Sequence, residues 1–303
     1  MSESDNGEQV NITIVVPVYN EKDAIRTEME TLLNFTWLND FKLMVVDDGS
    51  TDGTADILKQ IEPELPDHVR ILYQPRNRGY GATLKAGIAV AETEWIVITD
   101  ADGSYPNERI PELVCQCLKS GVDMLVGART TPNAAIPFIR RFPKWVLRKL
   151  ANNITQADIP DLNSGLRVFR RKMAMDFSNL ICDGFSFTTT ITLAALCNGY
   201  RVQYEPIEYH VRTGSSKIRP IYDTLNFVLI IVTTVFYFDP LRVLLPSCVA
   251  LCGLGGGVAL YQLLRTEPNI TTVPVIILQT GFMLFALAVV SDLIVKSRNH
   301  PRN

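Results

Sequence analysis

One alternation governs the amino-terminal two thirds of the chain. Short apolar runs rich in β-branched residues recur, and each ends on acids or turn residues before a helical stretch begins. NITIVVPVY (11–19), FKLMVVDD (41–48), VRILYQ (69–74), EWIVITD (94–100) and VDMLVGAR (122–129) are such runs. Their length and lack of polar alternation suit strands covered on both faces. Between them, the stretch after Asn20 to about Asn34, GSTDGTADILKQI (49–61) and GYGATLKAGIAVA (79–91) read as helices, the second with Ser50 or Asp52 as its cap. Strands alternating with helices predict an α/β fold with a doubly wound, mostly parallel sheet. Ligands of such sheets bind beyond the carboxyl ends of the strands. PVYNE, DDGSTD and DADGS all fall there, which places a candidate site before any residue is given a task.

Hydrophobic residues make up 47% of the chain, and the excess lies at its carboxyl terminus. Residues 243–264 are apolar apart from Gln262, long enough at about 1.5 Å per residue to span a bilayer. The GLGGG within this run supplies small residues for close helix contact, and so for homo-oligomer formation. After the polar link RTEPNITT, a second run over 273–290 extends to Val295 across Asp292. Neither run has an amphipathic face, so a transmembrane hairpin is expected rather than two core helices. TLNFVLIIVTTVFYF (224–238), bounded by Asp223 and Asp239, is short for a span and reads as an interfacial helix. The expected division is a flexible tail over 1–10, an α/β domain over 11–220, an interfacial helix over 221–240, and a hairpin with a basic tail over 241–303. Arg242, Lys296, Arg298 and Arg302 flank the open end of the hairpin, while its link carries only Arg265. The positive-inside rule then puts the domain and the carboxyl terminus in the cytoplasm. Asn269-Ile270-Thr271 would lie outside, a glycosylation pattern short enough to arise by chance.

Other classes are disfavoured early. A net charge of −3 argues against wholesale nucleic-acid binding. MSESDNGEQVN lacks the apolar core of a signal peptide and reads as a loose tail. Six cysteines occur without a CxxC pair, and three histidines are too few to complete a zinc site, so reduced thiols are expected.

The acids at the strand ends carry the chemistry. Two carboxylates ending a buried strand repel each other and lose hydration unless a cation compensates them. In Asp100-Ala101-Asp102 they stand one residue apart. One reading is Mg²⁺ or Mn²⁺, with a diphosphate and water completing the octahedron. The other is an Asx turn, which would prevail for an isolated pair. Asp47 and Asp48 end a neighbouring strand and Glu21 follows another, so a rim of acids could accept hydrogen bonds from a nucleobase and ribose. NRGYGATLKAG fits neither dinucleotide nor P-loop spacing and reads as pocket wall, with Gly79 and Gly81 permitting the turn. IRRFPKWVLRKLANNI (139–154) is a solvated basic helix or, with Trp145, Val146, Leu147 and Leu150 interleaved, one docked on an anionic membrane surface. By composition alone, Asn163-Ser164-Gly165 is a turn.

IVVPVYNE, VVDDGSTDGT, NRGYGATLKAG, TDADGSYP, VGAR and LNSGLRVFRR, in that order, resemble the family-2 glycosyltransferases. More narrowly, the chain looks like the dolichyl- and polyprenyl-phosphate sugar synthases that carry a carboxyl-terminal membrane hairpin. The resemblance covers residues 11 to about 220. It implies an A-type glycosyltransferase fold and inverting transfer of a hexose from a nucleotide-diphosphate sugar (GDP-mannose or UDP-glucose) to a polyprenyl or dolichyl phosphate. The product would be a lipid-linked sugar for glycan or glycoprotein assembly. Carried over by position, Pro17, Tyr19, Glu21 and Gly79 line the nucleotide-sugar pocket, and Asp48 binds the base. Asp100 and Asp102 hold the metal, Mg²⁺ or Mn²⁺, and the diphosphate. Arg129, Arg140 and Arg212 match phosphate-binding arginines, with Arg141 an alternative register for Arg140. Lys217 matches the family's basic loop, and Ser164 borders the sugar and acceptor. Two departures stand out: Ser104 replaces a Gln that contacts the metal in some relatives, and the helix after Gly184-Phe185 carries no acid.

A phosphate acceptor makes this set chemically coherent. A phosphate monoester, with a second pKa of about 6, is already a nucleophile at neutral pH and needs cations rather than a general base. A transferase that extends a lipid-linked glycan would need such a base, and its processive members carry a QxxRW motif that is absent here. A non-catalytic membrane scaffold is a third reading, against which the intact acids and arginines argue.

Overall fold

In a computed structural model, which describes residues 11–39, 41–130, 152, 155, 157–184, 186–209, 220–264 and 271–299, the five apolar runs become strands of one sheet. They are β1 (Ile12–Val18), β2 (Lys42–Asp47), β3 (Val69–Tyr73), β4 (Trp95–Ile98) and β5 (Met124–Ala128). Two further strands, β6 (Arg167–Arg170) and β7 (Val202–Pro206), complete the order β3-β2-β1-β4-β6-β5-β7. All neighbours run parallel except β6, which is antiparallel to both β4 and β5. Two arginines in four residues make β6 a poor strand candidate by composition. It joins the sheet because Val168 and Phe169 fill opposite faces of the core.

The helices are α1 (Ile25–Asn39), α2 (Thr54–Ile61), α3 (Tyr80–Val90), α4 (Ile110–Ser120), α5 (Arg171–Asp176), α6 (Phe187–Cys197), α7 (Pro220–Phe238), α8 (Pro240–Leu263) and α9 (Thr272–Asn299). Every residue of β1 is buried because helices cover both sides of the sheet. Ile14 and Val16 share a cluster with Met29 and Leu32 of α1 and Leu113 of α4. Val15 belongs to the opposite layer, with Leu84 and Ile88 of α3 and Ile191 of α6. Helix α1 begins and ends about five residues later than its composition predicts. Gly53, not Ser50 or Asp52, is the N-cap of α2, although Asp52 Oδ1 accepts the Thr54 N–H at 3.0 Å from one residue earlier. Ser50 instead takes the Asn20 N–H, also at 3.0 Å.

A third apolar cluster joins Ile159, Leu162 and Leu193 of α6 to Ile231 and Val235 of α7. On the other side of α7, Leu229 and Phe236 are 61% and 38% exposed. Helix α7 thus has one docked face and one open apolar face. Helices α8 and α9 pair along their length, with Gly255 against Ile277 and Leu278, and Gly281 against Leu251 and Cys252. Their mean hydropathies reach 2.0 and 2.3, yet only 11% and 17% of their most apolar stretches is buried. Core helices would be covered, whereas these present apolar surface outward and are long enough to cross a bilayer. At the open end of the hairpin, Asp239 accepts the Arg242 N–H at the start of α8 and pairs with its side chain at 3.0 Å. Lys296 pairs with Asp292 at 2.7 Å, so the acid inside the second run has a cation one turn away. All six cysteines are free.

Candidate functional site

β1 stays paired with β2 to Val18 but with β4 only to Val15, so the sheet splits between their carboxyl ends. Pro17, buried at the split, has no N–H to leave unmet there. This crevice lies where the strand order reverses, the usual ligand position of such sheets. The loop after β4, carrying Asp100 and Asp102, borders it.

Asp102 is buried, and its Oδ1 accepts both the N–H (3.0 Å) and the hydroxyl of Ser104. The Asx turn therefore exists, and it aims the carboxylate. Turn and metal site are compatible readings of the same pair. Ser104, fully buried, orients Asp102. Asp100 is half-buried and its Oδ1 accepts the Tyr80 hydroxyl at 2.8 Å. Burial and the Asp100 charge hold the Tyr80 phenol well above its ordinary pKa, so it remains a donor. Gly165 closes the other side, where a Cβ would lie 2.9 Å from Asp100 Oδ2. The Gly165 N–H donates to the Tyr105 hydroxyl at 2.6 Å.

The loops after β1 and β2 are stitched together. Thr51 N–H reaches Asn20 Oδ1 at 2.8 Å, and Glu21 N–H reaches Thr54 Oγ1 at 3.0 Å. This fixes half-buried Tyr19 and Glu21 at the rim of the crevice. Asp48, expected on the base, is 3% exposed, and its two oxygens accept the N–H groups of Arg78 (2.8 Å) and Gly79 (2.9 Å). Its carboxylate clamps the loop before α3, so any base would share oxygens already engaged. Gly79 has φ +98°, and a Cβ there would lie 2.8 Å from the Asp183 carbonyl. The Ala82 N–H is taken by that same carbonyl at 2.9 Å. The first turn of α3 thus forms wall rather than phosphate cradle.

Arg129 follows β5 and is gripped by Asp161: Nε to Oδ2 at 2.7 Å, Nη2 to Oδ1 at 2.9 Å, and its own N–H to Oδ2 at 3.1 Å. It lies 5.2 Å from the ring centre of Tyr209, which stacks edge-on with Tyr105. Burial works against the Arg129 charge, but Tyr105 and Asp161 hold its pKa above the ordinary value. Burial likewise opposes the Asp161 charge, and the Arg129 bonds keep its carboxyl below the usual range. The bidentate grip leaves Arg129 a fixed cation. Arg140, Arg141, Arg212, Lys217 and Asn269 lie outside the described residues, as does 139–151 of the basic stretch.

Ser164, expected to border the sugar and acceptor, is fully buried and donates its hydroxyl to the Gly127 carbonyl, which holds the 161–165 loop to β5. Beneath it, fully buried Arg167 donates to the Ser164 carbonyl, the Thr188 carbonyl (3.0 Å) and Thr192 Oγ1 (2.8 Å). No carboxylate forms an ion pair with Arg167 among the described residues. Behind Asp102, Glu28 of α1 is 7% exposed and accepts from Asn107 Nδ2, whose Oδ1 accepts from Thr99 at 2.6 Å. Sequence reasoning missed Asp161, Tyr80, Tyr105, Arg167 and Glu28. Tyr80 and Asp161 sit beside recognisable motifs, whereas an acid on an amphipathic helix gives no local sign that it will be buried.

Asp100 and Asp102 offer oxygen donors only, and no cluster of three or more His, Cys, Asp or Glu forms a metal site among the described residues. Two carboxylates suit a hard divalent cation that takes its remaining ligands from phosphate and water, and they do not suit zinc. The residues fit Mg²⁺ or Mn²⁺ bound together with a diphosphate.

The sequence model of the family described as Glycosyl transferase family 2 matches residues 13–177. Polyprenol monophosphomannose synthase of Mycolicibacterium smegmatis is 28% identical over 222 residues, covering 68% of this chain and 80% of the relative. Dolichyl-phosphate hexose transferase of Haloferax volcanii is 28% identical over 212 residues, 69% of this chain and 87% of its own. Among solved structures, glucosyl-3-phosphoglycerate synthase of Mycobacterium tuberculosis with Mn²⁺, UDP and glucosyl-3-phosphoglycerate superposes with a TM-score of 0.56 at 17% identity. That match covers 75% of this chain and 79% of the other and concerns the fold, an A-type glycosyltransferase sheet.

Proposed function

The chain belongs to glycosyl transferase family 2 and is a glycosyltransferase; from that premise, we propose that it moves a hexose from a nucleotide-diphosphate sugar to a polyprenyl or dolichyl phosphate. Two relatives named for this class of acceptor, and two apolar helices beside the domain, support the reading. The observation that carries it is the clamped Arg129. A single network runs from Asp161 through Arg129, Tyr209, Tyr105 and Gly165 to Asp100, so a fixed cation and a carboxylate pair border one site.

In this proposal Tyr19 and Glu21 line the donor pocket, and Asp48 shapes it by holding Gly79. Asp100 and Asp102 hold Mg²⁺ or Mn²⁺, which when bound neutralises the diphosphate and favours its departure. Arg129, joined by Arg140, Arg212 and Lys217, binds the acceptor phosphate and holds one oxygen in line with the anomeric carbon. That oxygen attacks, the bond from the anomeric carbon to the diphosphate breaks, and the configuration inverts. No proton need be removed, since the monoester is largely dianionic at neutral pH. The donor sugar is GDP-mannose or UDP-glucose. The domain and carboxyl terminus face the cytoplasm, where basic residues flank the hairpin. Homo-oligomers form through α8, where a Cβ at Gly253, Gly256 or Gly257 would meet nothing within 4 Å.

The test uses purified full-length protein, labelled donors, a polyprenyl phosphate and Mg²⁺ or Mn²⁺. Acid-labile labelled lipid should form, and should vanish with EDTA or Asp102→Ala. Transfer only to a preformed glycan, or no transfer from any donor, would refute the proposal.

A further inference from the structure

We propose that the juxtamembrane helix α7 positions the acceptor clamp: Ile231 and Val235, acting through Ile159, Leu162 and Asp161, hold Arg129 where the lipid phosphate arrives. This rests on the acceptor reading above. Asp161 grips Arg129 with both oxygens, and its two apolar near neighbours in sequence, Ile159 and Leu162, are 0% and 9% exposed. Neither enters the two clusters that fill the sheet faces. Both belong to the third cluster, whose other buried members are Leu193 of α6 and Ile231 and Val235 of α7. The apolar side chains of the segment that carries the clamp are thus seated on α6 and α7, with Tyr204 of β7 at the edge of the same cluster. The segment's polar ties run to α6 and to the sheet: the Asn163 side chain accepts from Thr189 of α6 at 2.6 Å, the Ser164 hydroxyl donates to Gly127, and Arg167 of β6 donates to the Ser164 carbonyl.

Helix α7 leads straight into the hairpin, since Asp239 alone separates it from α8, and Val243 of α8 borders the same cluster. A shift of the helices in the bilayer therefore acts on Ile159 and Leu162 first. Packed side chains transmit displacement because the interior is dense and has few alternative arrangements. The donor side is built differently. Its loops are stitched to one another and to β1 and β2, and none of their residues belongs to the third cluster. Loosening α7 should then weaken the acceptor half of the reaction and spare the donor half. Ile231 and Val235 are positioning residues; they touch no reacting atom.

The experiment uses full-length protein in lipid vesicles containing polyprenyl phosphate, with Ile231→Ala and Val235→Ala. Ile159→Val trims the same contact from the loop side by one methyl, Val235→Ile is the conservative variant, and Leu229→Ala is the control on the opposite face. Expected is a roughly three- to thirtyfold loss of kcat/KM for polyprenyl phosphate in the alanine variants, a smaller loss for Ile159→Val, and near wild-type values for Val235→Ile and Leu229→Ala. The Kd for the nucleoside diphosphate with Mn²⁺, read by calorimetry, should stay unchanged. Equal losses on donor and acceptor sides would mean general loosening and overturn the inference, as would unchanged acceptor kinetics in every variant. If the wild type itself ignores polyprenyl phosphate while using another acceptor, the functional reading falls, and this inference falls with it.

Discussion

Glu28 offers a test in which the sign, not only the size, is set by the structure. Burial is the main cause that raises its pKa from 4.5 to about 7; the Asn107 bond opposes the rise, and the Asp102 and Glu108 charges add to it. Between about 4.5 and 7 the folded chain therefore holds a proton that the unfolded chain has lost. Stability falls as pH rises through that window, and the full cost persists above about 7. At 1.36 kcal/mol per pH unit the cost is roughly 3 kcal/mol at pH 8 and about 1 kcal/mol at pH 5. Glu28→Gln keeps an acceptor for Asn107 and removes the charge. The variant should be only slightly more stable than wild type at pH 5 and clearly more stable at pH 8. For a domain of this size the pH 8 gain corresponds to roughly 6–12 °C in Tm. Thermal unfolding followed by tryptophan fluorescence in detergent, at pH 5, 6, 7 and 8, reads the difference. A Tm gap that does not grow with pH, or a glutamine variant less stable than wild type at pH 8, would refute the reasoning.

Gly165→Ala would place a methyl 2.9 Å from Asp100 Oδ2, so the carboxylate must move. The Mn²⁺ concentration for half-maximal transfer should rise about tenfold or more, and an unchanged metal titration would show that Gly165 does not set the Asp100 position. Asp161→Asn keeps the shape of the clamp but removes its charge. It should lower kcat/KM for the lipid phosphate by about tenfold while leaving the donor Kd unaltered, as measured by calorimetry. Arg167→Met removes the guanidinium donors of the buried Ser164 carbonyl and one donor of the Thr188 carbonyl, which keeps the Thr192 hydroxyl. A loss of roughly 2–4 kcal/mol is expected in urea unfolding, and a loss below about 0.5 kcal/mol would mean that relaxation or water replaces the guanidinium.

Chemistry that repeats along the chain was legible without coordinates. The apolar runs announced strands buried on both faces, because only a doubly covered sheet accepts so little polar alternation. Their acidic ends located the site, since the carboxyl edge of such a sheet is where loops converge. The hairpin followed from length and apolarity alone. What escaped depends on which distant groups meet. Asp48 clamps the Arg78–Gly79 backbone and Ser164 the Gly127 carbonyl, contacts that no local pattern announces. Glu28 and Arg167 resemble ordinary surface charges and end up buried. The antiparallel β6 escaped for the same reason: its neighbours, not its own composition, bury it. Asp100-Ala101-Asp102 shows both sides of this division. The sequence determined that two carboxylates end a buried strand, a matter of local order and hydropathy. Only the tertiary structure decided that Ser104 aims one of them, that Tyr80 and Gly165 confine the other, and that Asp161 grips Arg129. Those contacts join residues far apart in the chain, and side-chain directions across such separations follow from packing.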